Sequence, residues 1–295
     1  MRHLNPRCTA KATPLLLPPL AEQRAIAHVL RAVQRAKEAA EAVVASARQL
    51  KRSLLRHLFT YGPVPVAEAD RVPLKETEIG PIPEHWELKP LGQLIGDGPQ
   101  NGLYKHASHY GEGTPILRID AFNDGDIVTG RGLKCLRLTD EERATYALRA
   151  GDLVVNRVNG SVDILAKWAL IGELTEPTVF ESNMMRFRTT DDISPTFMVR
   201  FFQSPIAKAQ IRNKARIIHQ ASINQQDLKS MLVPVPPQAE RDAITAALHA
   251  SEQKLAVEQA RVSALGEVFR SLLRDLMTGR VRVHELGLVP VGGET

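Results

Sequence analysis

Apolar positions along this chain follow two different rhythms. Near the start they recur at Ile26, Val29, Val33, Ala36, Ala40, Val43, Ala47, Leu50 and Leu54. The steps alternate three and four, a heptad seam that predicts a helix packed against another helix. Near the end the rhythm returns at Ile244, Leu248, Ser251, Leu255, Glu258, Val262, Leu265, Phe269, Leu272 and Leu276. Ser251 and Glu258 interrupt that seam, and polar residues at such positions fix register rather than add stability. Each stretch predicts a helix of about 40 residues, about 60 Å long at 1.5 Å per residue. Most helical stability comes from packing, so each helix needs a partner. We expect the two to pair antiparallel within one chain as a coiled coil; the alternative is that each pairs with another subunit.

The two stretches are copies of one another. Pro18-Pro19-Leu20-Ala21-Glu22 runs to Leu54-Leu55-Arg56-His57-Leu58-Phe59-Thr60, and Pro236-Pro237-Gln238-Ala239-Glu240 runs to Leu272-Leu273-Arg274-Asp275-Leu276-Met277-Thr278, at a constant offset of 218. Such a repeat outranks any single motif as a guide to architecture. Gly62 is placed to stop the first helix in a left-handed conformation, and the second stops at Thr278-Gly279. Leu15 to Pro19 matches Val233 to Pro237, where the second copy closes a domain. The first copy therefore reads as the end of a domain whose body is missing. We expect the chain to correspond to the C-terminal part of a longer ancestor, or to begin at an internal start.

The second rhythm fills the middle. Pro115–Ile119, Asp152–Val155, Ala169–Ile171, Met184–Phe187 and Met231–Val233 read as strands, separated by turns such as Gly125-Asp126 and Gly151-Asp152. Thr139-Asp140-Glu141-Glu142 has the capping-box pattern and predicts a short helix. Pro195 to Asn213 predicts a longer one, with Phe197, Phe201, Phe202 and Ile206 on its apolar side. The expected class is α+β: one mixed α/β domain plus two long helices. The expected division is a remnant tail 1–17, a first helix 18–62, an extended proline-rich linker 63–83, a mixed domain 84–235, a second helix 236–279 and a C-terminal tail 280–295.

Composition narrows this little. Of 295 residues 43% are apolar and 5% aromatic, with a net charge of +5. The low aromatic content suits long helices, and the basic balance is compatible with an anionic partner such as nucleic acid. Cys8 and Cys135 stand far apart and form neither a disulfide framework nor a zinc spacing, which fits a reducing cytoplasm. No run approaches a membrane span, and the proline-broken Pro14–Leu20 stretch does not read as a signal peptide.

A search for catalytic patterns finds little. Gly96-Asp97-Gly98-Pro99-Gln100-Asn101-Gly102 is not the dinucleotide fingerprint and reads as a loop. No Walker lysine motif, His-x-x-x-His pair, Gly-x-Ser-x-Gly elbow or Asn-Pro-Pro-Tyr motif occurs. His106 and His109 lack companion ligands. The middle domain instead places polar and basic residues in turns. Tyr104, Lys105 and His106 follow the glycine stretch. Asn156, Arg157, Asn159 and Ser161 follow a strand. Arg216, His219, Gln220, Ser222 and Asn224 follow the longer helix. Arg, Asn and Gln carry the fork geometries that read guanine and adenine edges, while Lys and Arg neutralise phosphates. These twelve are the candidate DNA-binding residues; read singly, each loop is better explained as a solvated turn, and it is their number in one basic domain that points to nucleic acid.

The chain resembles the specificity subunit of type I restriction–modification enzymes. The resemblance rests on the two Pro-Pro-x-Ala-Glu helices ending Ser53-Leu54-Leu55-Arg56 and Ser271-Leu272-Leu273-Arg274. Between them it uses Pro83-Glu84-His85-Trp86, Gly102-Leu103-Tyr104-Lys105, Gly151 to Arg157 and Gln220-Ala221-Ser222-Ile223-Asn224. It covers about residues 14–280. The family's layout has two target recognition domains, each followed by a long helix, whereas this sequence has one, framed by both helices. The resemblance implies a non-catalytic DNA-recognition subunit without cofactor or metal of its own. It further implies modification (methyltransferase) subunits that carry S-adenosylmethionine, and a restriction subunit using ATP and Mg. It leaves open a homodimer, in which two copies restore a palindromic bipartite site on double-stranded DNA. The competing reading is a degenerate coiled-coil structural or regulatory protein that binds no DNA.

Overall fold

The structure is a computed structural model and describes residues 18–159, 166–214, 216–217 and 221–286. The helices are α1 Leu20–Tyr61, α2 Asp140–Thr145, α3 Pro195–Gln203, α4 Pro205–Lys214, α5 Gln225–Lys229 and α6 Gln238–Met277. The strands run β1 Leu74–Lys75, β2 Ile82–Pro83, β3 Glu87–Pro90, β4 Ile95–Asn101, β5 Tyr110–Leu117, β6 Asp126–Val128, β7 Lys134–Leu136 and β8 Leu153–Asn156. They continue with β9 Val158–Asn159, β10 Trp168–Ile171, β11 Val179–Phe180, β12 Met184–Thr189, β13 Arg216–Ile217, β14 Ala221–Ser222 and β15 Leu232–Val235. The chain divides into two compact units, Met1–Arg48 with Gln253–Thr295, and Gln49–Glu252. Both long helices cross the division.

In the first unit the helices pair antiparallel. Ile26 and Val29 near the start of α1 pack with Leu272 and Leu276 near the end of α6, joined by Val283 and Leu286. Arg282 closes this end by donating to Glu22 at 2.7 Å. Farther along, Lys37 lies beside Gly266. A cleft of about 250 Å³ is lined by Glu41, Val44, Ala45, Arg48, Gln259 and Val262. The intrachain pairing expected from the seams is therefore present.

The phase of one seam differs from the expectation. On α6 all ten expected positions are buried or half-buried. On α1 the buried positions drift: Val44 is buried where the heptad called for Val43, and Lys51 is half-buried where it called for Leu50, while Val43 and Leu50 are exposed. A straight helix has 3.6 residues per turn, so a 3.5-residue pattern walks off the buried face by about 20° per heptad.

The second unit has its core between sheet and helices. The five-stranded sheet has the order β4-β12-β8-β10-β6, with β10 and β6 parallel and its other neighbours antiparallel. One face packs on α3, where Trp168 stacks on Phe202 with 3.6 Å between ring centroids and Phe187 meets both edge-on. The last turns of α1 and the first turns of α6 enter the same core. Phe59 lies 5.7 Å from Phe197 and 5.5 Å from Phe201, and Ile244 and Leu248 are wholly buried. Burying each such side chain stabilises by about 1.5–3 kcal/mol. The longer helix expected over 195–213 is two, because Pro205 drives Ser204 into an extended conformation with ψ 151. The glycine stretch expected as a loop is mostly β4, hydrogen-bonded to β12. The proline-rich 63–83 segment holds a 3-10 turn, Val66–Arg71, and the β1–β2 pair, with Ile82 buried.

Two contacts anchor the domain to the helices within this unit. Trp86 Nε1 donates to Glu240 Oε2 at 2.8 Å, and His85 Nε2 meets Glu240 Oε1 at 2.6 Å. β3 and β15 pair antiparallel from Glu87↔Val235 to Pro90↔Leu232, so the chain enters and leaves the domain side by side.

Candidate nucleic-acid interface

Three of the polar loops converge on the segment Glu181–Asn183. Gly102 and Leu103 run along it: Leu103 N donates to Phe180 O and Ser182 N to Leu103 O, both at 2.9 Å. The approach is so close that a Cβ on Gly102 would sit 2.2 Å from Glu181 O. On the other side Arg157 N donates to Asn183 O at 2.9 Å, its Nη1 donates to Ser182 O at 3.1 Å, and its carbonyl accepts from Ile223 N at 3.0 Å. A small sheet with order β13-β14-β9 then joins the loop after β8 to the loop after α4. Residues separated by more than a hundred positions thus share one surface region.

The candidates fare differently within it. Tyr104 is 76% exposed and free to stack on an aromatic surface. Lys105 is spent on Glu142 at 2.5 Å. That hydrogen bond first, and the Thr139 amide second, hold the Glu142 carboxyl below the usual carboxylate range. His106 is exposed and caps the following turn through Nδ1, which accepts from Ser108 N at 3.3 Å. Asn156 is wholly buried, with Oδ1 accepting from Val158 N at 3.3 Å, so it shapes the turn from inside. Arg157 holds the three segments together, and its buried Nε has no partner among the described residues. Ser222 is half-buried in β14 opposite Val158. Asn224 is exposed and caps α5, accepting from Asp227 N at 2.8 Å. Asn159 and Arg216 have backbone positions in β9 and β13, while their side chains lie outside the described part. Ser161, His219 and Gln220 lie outside the described residues altogether.

Two features were not legible beforehand. Arg118 directly follows β5 and joins the same region through Glu181; in sequence it was one polar position in an apolar strand. A second arginine cluster lies on the five-stranded sheet. Arg186 donates to Asp97 and to Gln100 Oε1 at 2.5 Å, and Arg188 Nε donates to Asp152 Oδ1 at 2.5 Å. The Arg186 hydrogen bond holds the Asp97 carboxyl below its ordinary range, against the cost of partial burial. The charges of this cluster are neutralised internally, whereas Arg48, Arg52 and Arg56 on α1 are exposed. Among the described residues no group of His, Cys, Asp or Glu is placed to hold a metal ion. No described helix is long and apolar enough to cross a membrane.

The fold is thus a mixed-sheet domain with a long helix before it and another after it in the chain. No family model matches the chain. It is 29% identical over 231 residues to the type I restriction enzyme EcoKI specificity subunit of Escherichia coli K12, covering 77% of this chain and 48% of that one. It is 22% identical over 275 residues to the MjaVIII specificity subunit of Methanocaldococcus jannaschii, covering 92% and 62%. The fold is similar to the type I restriction–modification S subunit from M. genitalium, with a TM-score of 0.52 at 15% identity over 88% of this chain and 61% of that one. The HsdS subunit from Thermoanaerobacter tengcongensis gives 0.50 at 17% identity over 90% and 60%. The chain is similar to the specificity subunits of type I restriction–modification systems, and spans about half the length of the curated relatives it matches.

Proposed function

We propose that this chain is the DNA-recognition subunit of a type I modification complex, reading a half-site in double-stranded DNA without catalysing the reaction. The observation that carries the reading is the convergence of half-buried Arg118 and Arg157, and of Leu103 beside exposed Tyr104, on Glu181–Asn183, next to the β13-β14-β9 sheet. Segments with the chemistry to contact bases and phosphates meet in one place, on a chain related to specificity subunits. The recognition domain is the 84–235 segment.

The long helices are the docking surface for modification subunits. Their outward positions carry exposed small and apolar residues at heptad spacing: Ala36, Ala39, Val43 and Leu50 on α1, and Ala250, Val257, Ala260 and Ala264 on α6. Small residues in that spacing admit another helix closely. S-adenosylmethionine belongs to the modification partner, which flips and methylates the base; ATP and Mg belong to a restriction partner. A second copy of the chain supplies the other half-site, and the complex works in the cytoplasm.

The test is co-expression with a modification subunit, followed by methylome sequencing with and without this chain. A methylated motif that appears only with the chain supports the reading. An unchanged methylome beside a stable, purely helical assembly would instead mark a structural protein that binds no DNA.

A further inference from the structure

One arginine of the interface has its direction fixed by its neighbours. Arg118 Nη1 donates to Tyr110 Oη at 3.3 Å and lies 3.7 Å from Glu181 Oε2. Its guanidinium carbon sits 5.6 Å from the centre of the Tyr110 ring, and Nε donates to Asp120 Oδ1 at 3.4 Å. Glu181 is itself pinned. It is buried, its Oε1 accepts from Ile119 N at 2.8 Å, and its own amide donates to Leu117 O at 3.1 Å. Burial works against the Arg118 charge, but Glu181 first and then Tyr110 more than offset it, so the cation is held above its ordinary range.

We infer that Arg118 reads a guanine through the major groove, and that Glu181 and Tyr110 are the positioning residues that aim it; this rests on the DNA-recognition reading above. A phosphate accepts a cation from many directions. A base edge needs a guanidinium in one plane, and arginine to guanine O6 and N7 is the commonest specific contact. Arg118 meets that need. Two of its nitrogens are engaged by groups on the protein frame, Nη2 has no hydrogen bond to the described residues, and the side chain stays 30% exposed. An arginine serving structure alone gains little from a buried carboxylate, since apolar replacements of such pairs are often neutral or stabilising. Its place is right as well. Leu103, which precedes Tyr104, bridges to Glu181, and the next residue, Ser182, accepts from Arg157.

The experiment uses the full chain co-expressed with its modification subunit, and reads the methylated motif in genomic DNA for the wild type, Arg118→Ala, Arg118→Lys and Glu181→Gln. The expected result is one G·C position that becomes degenerate in Arg118→Ala. Arg118→Lys restores the preference only in part, because an ammonium can donate to guanine O6 and N7 but lacks the planar fork that its neighbours hold in place. Glu181→Gln keeps the Ile119 hydrogen bond yet loses part of the discrimination at the same position. The loss in Arg118→Ala should be about tenfold to hundredfold against the wrong base. Retention of the wild-type motif in Arg118→Ala, with methylation lowered evenly across sites, would overturn the assignment in favour of a phosphate contact. A wild-type chain that yields no motif would overturn the DNA-recognition reading itself, and this inference with it.

Discussion

Glu252 sits where the two long helices and the mixed-sheet domain meet inside the second unit. Its Oε1 accepts from Arg200 Nη1 and Lys51 Nζ, both at 2.6 Å, and its Oε2 accepts from Arg200 Nη2 at 2.5 Å. The side chain of Arg200 is only 5% exposed, that of Glu252 21% and that of Lys51 19%. Replacing Glu252 with Ala leaves a buried guanidinium without its counter-ion. Breaking a fully buried pair costs about 3–5 kcal/mol, and partial access of water to Glu252 puts the expected loss near the lower end, about 3 kcal/mol. At about 2–4 °C per kcal/mol for a unit of this size, the midpoint of thermal unfolding falls by about 6–12 °C. Lys51→Ala, which leaves Arg200 paired, costs at most about 1 kcal/mol. The double change Arg200→Met with Glu252→Leu recovers most of the loss, because it removes both charges together. Both tryptophans, Trp86 and Trp168, belong to this unit, so tryptophan fluorescence during urea unfolding reports it without a signal from the other. A Glu252→Ala variant within about 0.5 kcal/mol of the wild type would refute the reasoning, since only surface substitutions are expected there.

Two further outcomes are expected. Gly266→Ala in α6 should stabilise the first unit by about 0.5–1 kcal/mol in chemical unfolding followed by circular dichroism. An added Cβ meets only the tips of Arg270 and Lys37, at 3.6 and 3.9 Å; a destabilised variant would mean that the helices pack more tightly there. Asp97, whose carboxyl Arg186 holds below the ordinary range, contributes stability that is present above about pH 4 and is lost as pH falls through its folded value. The gap in urea midpoint between wild type and Asp97→Asn should therefore close on acidification, by a modest amount because Asp97 is half exposed; a gap constant with pH refutes the coupling.

The helices were legible because their order is local. A seam, a proline start and a glycine stop are all written within neighbouring turns, and the α6 seam was phased correctly throughout. The α1 seam slipped at Val43 and Val44, where two adjacent valines satisfy the pattern equally and only the drift of a real helix chooses between them. The capping box at Thr139 and Glu142 formed as written. Strand order was not legible: β8 lies between β12 and β10, and no local pattern encodes that choice. The candidate site was half legible. Tyr104 and Arg157 stood out as polar residues in turns, but Lys105 and Asn224 looked free and are engaged by Glu142 and Asp227. Arg118 was hidden because what marks it is Glu181, 63 residues away, and that contact exists only in the fold.

The pairing of β3 with β15 has a consequence for how such a chain can change. Glu87 and Val235 are neighbours across a strand pair, so the chain between them leaves and returns at one point, while Phe59, Ile244 and Leu248 of the helices share its core. The strand pair is braced by Glu240 holding Trp86 and His85. A different domain grafted between these points, with the Pro83–Trp86 corner and the Val233–Pro237 exit kept, leaves both helices at their original length and spacing. Such a graft has to supply its own apolar partners for Phe59, Ile244 and Leu248 and a cation for Glu252, so the exchangeable unit is larger than the strand pair that bounds it.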